Sequence, residues 1–249
     1  MACLGVGWLG LTVIQGGLNP NLTTSLVASI SNPGAQRVVF VGRAFDANQG
    51  VLSIFDRMGV KGLDAFPPPL QANFIDGDVD EDYVARTLRR YRPDVVVLQA
   101  FPSPDQGLGW QLTMAETMGR VAALVRAAGT ADIVIVAHPP AKPSGSVGFL
   151  AATRKIEAVA QTVAADVGAQ VARAGAFYAE LPHEERMALY SSRGWVFTQA
   201  GELAIALSVA AVLGASPDQP LGPAVAREPE PGFFDGWADR ARRLAVGPA

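Results

Sequence analysis

Four consecutive apolar residues, Val38 to Val41, run into Gly42, and similar runs recur at Val95–Leu98 and Ile133–Val136. A short apolar run bounded by turn residues reads as a strand buried on both faces, as at the centre of a parallel sheet. Stretches of helical periodicity lie between these runs. Asn48 to Met58 puts Val51, Leu52, Ile54, Phe55 and Met58 on one face. Asp80 to Tyr91 begins with three acidic residues and ends with arginines, the order a helix dipole favours. Leu112–Ala128, Thr153–Val167 and Gln199–Leu213 are each closed by a glycine, at 129, 168 and 214. Ala72–Ile75 and Gln170–Arg173 read as weaker strands, and Phe66-Pro67-Pro68-Pro69 as a break in regular structure. Crossovers of helical length between buried strands require a parallel sheet with helices on both faces. The expected fold is an α/β three-layer α/β/α sandwich of the flavodoxin-like kind.

Composition supports one large core: 49% of the 249 residues are apolar and 17% charged. The formal net charge of −3 gives no sign of a nucleic-acid surface. One cysteine, Cys3, excludes an internal disulfide framework, and with only His138 and His183 beside it a closed zinc site is not expected. No cofactor motif is present. Ser144-Gly145-Ser146 lacks the lysine and helix start of a phosphate loop.

The chain divides into three parts by composition. Residues 1–36 carry no charged side chain. Their first half is too rich in glycine for a membrane span and lacks the basic start of a signal peptide, so burial against the domain or a partner is expected. Virion-associated or cytoplasmic placement fits this better than secretion. Residues 37–213 form the α/β domain. Residues 214–249 start as a proline-rich linker and end in an amphipathic stretch. Phe233, Phe234, Trp237 and Leu244 are expected there as an anchor, gripping a neighbouring protein or a second copy, with docking on the chain's own domain as the alternative.

Loops at the carboxyl ends of parallel strands carry the chemistry of such folds. Around them, residues 37–213 resemble the SGNH (GDSL-like) hydrolases in the order and spacing of several blocks. Val38-Val-Phe-Val-Gly42 resembles the first strand, which in that family leads into Gly-Asp-Ser. The turn at Gly77 resembles the block of the oxyanion-hole glycine. Pro93-Asp-Val-Val-Val-Leu98 resembles the strand before Gly-x-Asn-Asp. Gly194-Trp-Val-Phe-Thr198-Gln-Ala-Gly201 resembles the terminal block Asp-Gly-x-His-Leu-Thr-x-x-Gly.

The resemblance puts the family's serine on Ala44 and its preceding aspartate on Arg43. It puts the glycine on Gly77 and the asparagine near Ser103. The terminal aspartate falls on Arg193 and the histidine on Val196. Alanine offers no nucleophile and valine takes no proton, so the family's serine–histidine chemistry is not expected. The expected role is a non-catalytic interaction or assembly protein, such as a virion or surface-structure subunit. Two alternatives stand beside it. One is a divergent esterase or carbohydrate deacetylase using His138 as base. The other is an acidic-glycan binding module built on Arg43 and Arg193, with Asp46, Asp105 and His138 near the same rim.

Overall fold

The computed structural model of the chain describes residues 35–41, 51, 54, 63–66, 81–99, 109–129, 132–140, 146–191, 197–215 and 232–246. The uncharged stretch expected to be buried lies outside them, except Ala35 and Gln36.

Five parallel strands form one sheet in the order β2-β1-β3-β4-β5. They are β1 (Gln36–Val41), β2 (Leu63–Phe66), β3 (Val95–Gln99), β4 (Asp132–Val136) and β5 (Gln170–Ala172). Val38 pairs with Val95 and Val95 with Asp132, so the three strong apolar runs are adjacent in the middle of the sheet. Their side chains alternate between faces. Val38, Phe40, Val95, Val97, Val134 and Val136 enter one core, and Val39, Val41, Val96, Leu98, Ile133 and Ile135 are equally buried. Burial of both parities is the three-layer arrangement that the unbroken apolar runs demand.

Strand β2 departs from expectation. Leu63-Asp-Ala-Phe66 is short, carries an acid, and precedes three prolines. It nevertheless pairs in parallel with β1. Beside β1 it is the last strand in the order, where a short, mixed sequence is tolerated. The strand expected at Ala72–Ile75 lies outside the described residues. Val51 and Ile54, from the first expected helix, are helical and buried.

The helices are α1 (Glu81–Tyr91), α2 (Gly109–Ala127), α3 (Ser146–Val167), α4 (Ala174–Glu180), α5 (His183–Ala188), α6 (Gln199–Val212) and α7 (Trp237–Val246). Helix α1 packs on α2, and α2 on α3. Glu81 in the first turn of α1 meets Arg120 of α2 at 2.5 Å, joining the pair at its surface. Among the described residues, no helix is long and apolar enough to cross a membrane.

Helix α6 is buried on nearly every side, from Leu203 through Ala210. A helix apolar all round needs cover on more than its sheet side. Helix α7 supplies it, lying across α6 and touching α4. Trp237 is 1% exposed and meets Phe177 of α4 edge-on at 5.1 Å. Phe233 and Phe234 close on the same indole at 5.2 and 4.9 Å. Arg240 lies over the Phe177 ring and reaches Glu180 at 3.6 Å.

The partner-anchor expectation is corrected here. Phe234 and Trp237 lie in the domain's own core, and Phe233 and Leu244 pack against it. The amphipathic face is turned toward α6, with Trp237 and Phe234 buried there and Phe233 and Leu244 partly buried.

Candidate functional site

The crevice at the carboxyl end of the sheet is the place to look for chemistry. Most positions singled out there lie outside the described residues: Arg43, Ala44, Asp46, Gly77, Ser103, Asp105, Arg193 and Val196. His138 and the end of the terminal block are described, and the fold brings these together.

His138 follows β4 by two residues. The strand's pairing continues past its end, since the Ala137 amide donates to Ala172 at 2.9 Å. The Gly175 amide then donates to the Ala137 carbonyl at 2.8 Å, fastening α4 to the same corner. This draws His138 inward, to zero exposure. Its Nδ1 lies 2.8 Å from the Pro139 carbonyl. A carbonyl only accepts, so Nδ1 carries the hydrogen and Nε2 is the basic nitrogen. Burial outweighs that hydrogen bond and pushes the imidazole pKa down from 6.5 to about 4. The ring is therefore neutral at pH 7 and poorly matched to accepting a proton there.

An aromatic nest surrounds it. The Phe197 ring lies 4.9 Å from His138. Tyr178 and Tyr190 meet Phe197 at 5.7 and 5.2 Å, and each other at 5.6 Å. The Tyr190 hydroxyl donates to the Pro140 carbonyl at 2.7 Å. The Tyr178 hydroxyl is buried with no hydrogen-bond partner among the described residues. Burial raises both phenol pKa values, an effect the Arg186 charge partly offsets at Tyr190. Both stay protonated at neutral pH and neither is a nucleophile.

Arg186 completes the cluster. Its Nε donates to the Tyr178 carbonyl at 3.0 Å and its Nη2 to the Leu181 carbonyl at 2.8 Å. The guanidinium thus caps the carboxyl end of α4, where a cation complements the free carbonyls. Its Cζ stands 4.8 Å over the Phe149 ring. Sequence reasoning missed Arg186, Tyr178 and Tyr190. Arg186 and Tyr190 fall in Pro182–Ser191, which reads as a short helix or loop, and no periodicity marks Arg186 as buried. His183 itself is exposed.

Helix α6 begins where the terminal block ends. Thr198 is its N-cap, and Oγ1 accepts from the Gly201 amide at 3.3 Å. The Thr198 amide donates to the Leu189 carbonyl at 2.9 Å, and its hydroxyl to Ala188 at 3.1 Å. Gly201 sits where a side chain has no room. A Cβ there would come 2.4 Å from the Leu189 carbonyl oxygen and 2.6 Å from the Tyr178 hydroxyl. The Thr-x-x-Gly end of the block thus has a structural reason for both residues. Among the described residues no cluster of histidine, cysteine, aspartate and glutamate could hold a metal ion.

No family model and no curated protein matches the sequence. Solved structures do match in fold. A protein from Slackia heliotrinireducens assigned as an SGNH hydrolase is 16% identical with a TM-score of 0.53, over 71% of this chain and 97% of its own. An acetylxylan esterase from Geobacillus stearothermophilus is 12% identical with a TM-score of 0.51, over 71% of this chain and 94% of its own. An alpha/beta hydrolase enzyme from the metagenome of Lake Arreo is 13% identical with a TM-score of 0.50, over 72% and 95%. Together with the strand order, these likenesses establish an SGNH hydrolase-like α/β fold for this chain.

Proposed function

We propose that the chain is an SGNH-fold domain that binds or assembles rather than one that runs the family's serine–histidine hydrolysis. The observation that carries this is the seat of Thr198 and Gly201. The cap and the close approach at Gly201 support the register of the terminal block, in which Val196 stands for the histidine. Ala44 stands for the serine in the first block. Removing both members of such a device costs on the order of a million-fold in turnover. His138 offers a poor substitute, being wholly buried and a weak base. Arg43 and Arg193 would give the crevice an anion-binding character suited to an acidic glycan. The uncharged residues 1–36 are the stretch best suited to contact a protein partner or a second copy.

A second function is favoured by a specific finding. The solved neighbours are hydrolases, an acetylxylan esterase among them. That points to a divergent esterase or carbohydrate deacetylase more directly than to a structural role. His138 follows the carboxyl end of β4, where a base for such chemistry would stand.

Ester turnover separates the two. Wild type and His138→Gln are measured on a panel of aryl acetates and acetylated xylo-oligosaccharides. The expected result is release of acetate no faster than in buffer for both proteins. Wild-type turnover that disappears in His138→Gln would establish the esterase. Turnover in both would reject the binding role and place the catalytic group elsewhere.

A further inference from the structure

Helix α1 ends differently from the other long helices. After α2, α3 and α6 the chain turns at Gly129, Gly168 and Gly214, each with positive φ. After α1 it turns at Arg92, with φ 44°, the one non-glycine residue in that region among the described residues. A left-handed backbone crowds any side chain, and the following Pro93 narrows the choice further. Glycine would relieve the strain, which points to a use for the arginine side chain beyond closing the helix.

Arg89 and Arg90 stand in the last turn of α1, and like Arg92 they are exposed. The helix dipole alone favours cations there. Elsewhere in this chain, however, an arginine that serves a helix end bonds its carbonyls. Arg126 donates to Val167 and Gly168 at the close of α3, at 2.6 and 2.9 Å, as Arg186 does at α4. Arg89, Arg90 and Arg92 make no side-chain hydrogen bond or ion pair among the described residues, and Arg90 lies over the Tyr91 ring at 5.7 Å. The nearest acid in sequence, Asp94, is taken by Arg37, whose amide and Nε donate to its Oδ2 at 2.8 and 3.4 Å. Asp132, paired with Val95 at the start of β4, is exposed and offsets no more than one of the three charges. Residues 81–99 are described without a break, and residues 1–36, which lead into β1, contain no acid.

We propose that Arg89, Arg90 and Arg92 form a docking surface for a carboxylate-rich segment of a partner protein. Guanidinium is the planar fork that pairs two-fold with a carboxylate, and all three cations are arginine. The cluster covers about 5 Å of helix axis, too short a track for a nucleic-acid backbone. The chain's net charge of −3 also works against a long polyanion. Helix α1 leads into the start of β3, so this surface stands at the amino end of the sheet, away from the crevice. Its use does not depend on what the crevice does.

The test is titration of a hexaglutamate peptide into the isotope-labelled full chain at low salt, read at the arginine Nε–H signals. Arg89, Arg90 and Arg92 are expected to shift together, while Arg126 and Arg154 stay in place. Arg89→Gln combined with Arg90→Gln should weaken the peptide by about five-fold. Arg154→Gln combined with Lys155→Gln makes the same charge change on the exposed face of α3 and should leave the affinity unchanged. Arg92→Gly separates binding from folding: it should raise the urea midpoint and weaken the peptide together. No shift of the three signals, equal affinity in the two double variants, or an undiminished affinity in Arg92→Gly overturns the proposal. So does an oligothymidine strand that shifts the same signals at lower concentration than the peptide, which would make this a nucleic-acid surface.

Discussion

Trp237→Ala is expected to lower the unfolding free energy by about 4 kcal/mol, the usual cost of emptying a buried tryptophan site. The indole is 1% exposed and contacts three aromatic rings from two parts of the chain. The edge-on pairs with Phe177 and Phe234 each add about 0.5–1.5 kcal/mol beyond the buried area. Their loss is not offset by collapse, because α6 and α4 are fixed by the sheet beneath them. Urea denaturation gives the number, with Val246→Ala as the companion. Val246 is 87% exposed on the same helix and its truncation should stay within about 0.5 kcal/mol. A Trp237→Ala cost below about 1 kcal/mol would mean that α7 does not complete the core. The Arg240–Glu180 contact is too exposed to change that outcome, at about 0–1 kcal/mol for a surface ion pair.

The same helix shows what a sequence can and cannot tell. The apolar face of Phe233, Trp237, Ala241 and Leu244 is legible from spacing alone. Where that face docks is not, because a proline-rich linker fixes neither distance nor direction. A signal was available elsewhere. Leu203 to Ala210 is apolar at almost every position, and such a helix cannot be one-sided. Its unmet side and the unpartnered face of residues 233–244 answer each other. The central strands were legible for the converse reason, since β1, β3 and β4 are buried on both faces and need unbroken apolar runs. Strand β2 hid because an edge position imposes no such pattern.

The site was legible where it depends on backbone geometry. Thr198 and Gly201 keep the spacing that a capped helix start and a tight backbone contact require. His138 was correctly placed after a strand, but burial is a property of what packs on it. Phe197 and Tyr190 come from a later stretch of sequence whose pairing is one isolated bridge. Arg186 is harder still, since its partners are carbonyls, which every residue carries.

Gly201→Ala tests whether the terminal block is a true structural register. A helix interior ordinarily favours alanine over glycine by about 1 kcal/mol. Gly119 of α2 has open space around its Cβ position, so Gly119→Ala should stabilise the protein by up to about 1 kcal/mol. At Gly201 the sign reverses. The Leu189 oxygen is backbone, and it already accepts from the Thr198 amide. It cannot withdraw without giving up that bond and loosening the N-cap. Tyr178 cannot swing aside either, being packed between Tyr190 and Phe197. Overpacking against fixed atoms costs about 1–3 kcal/mol, and the strained cap adds about 1. Gly201→Ala should therefore destabilise by about 3 kcal/mol, read from the shift in urea midpoint at unchanged slope. The Thr198 amide should also lose protection in hydrogen exchange more than the strands do. If Gly201→Ala instead matches the gain at Gly119, the glycine has no fixed neighbour. The correspondence of Val196 to a histidine position, and with it the case against hydrolysis, would then lose its structural support.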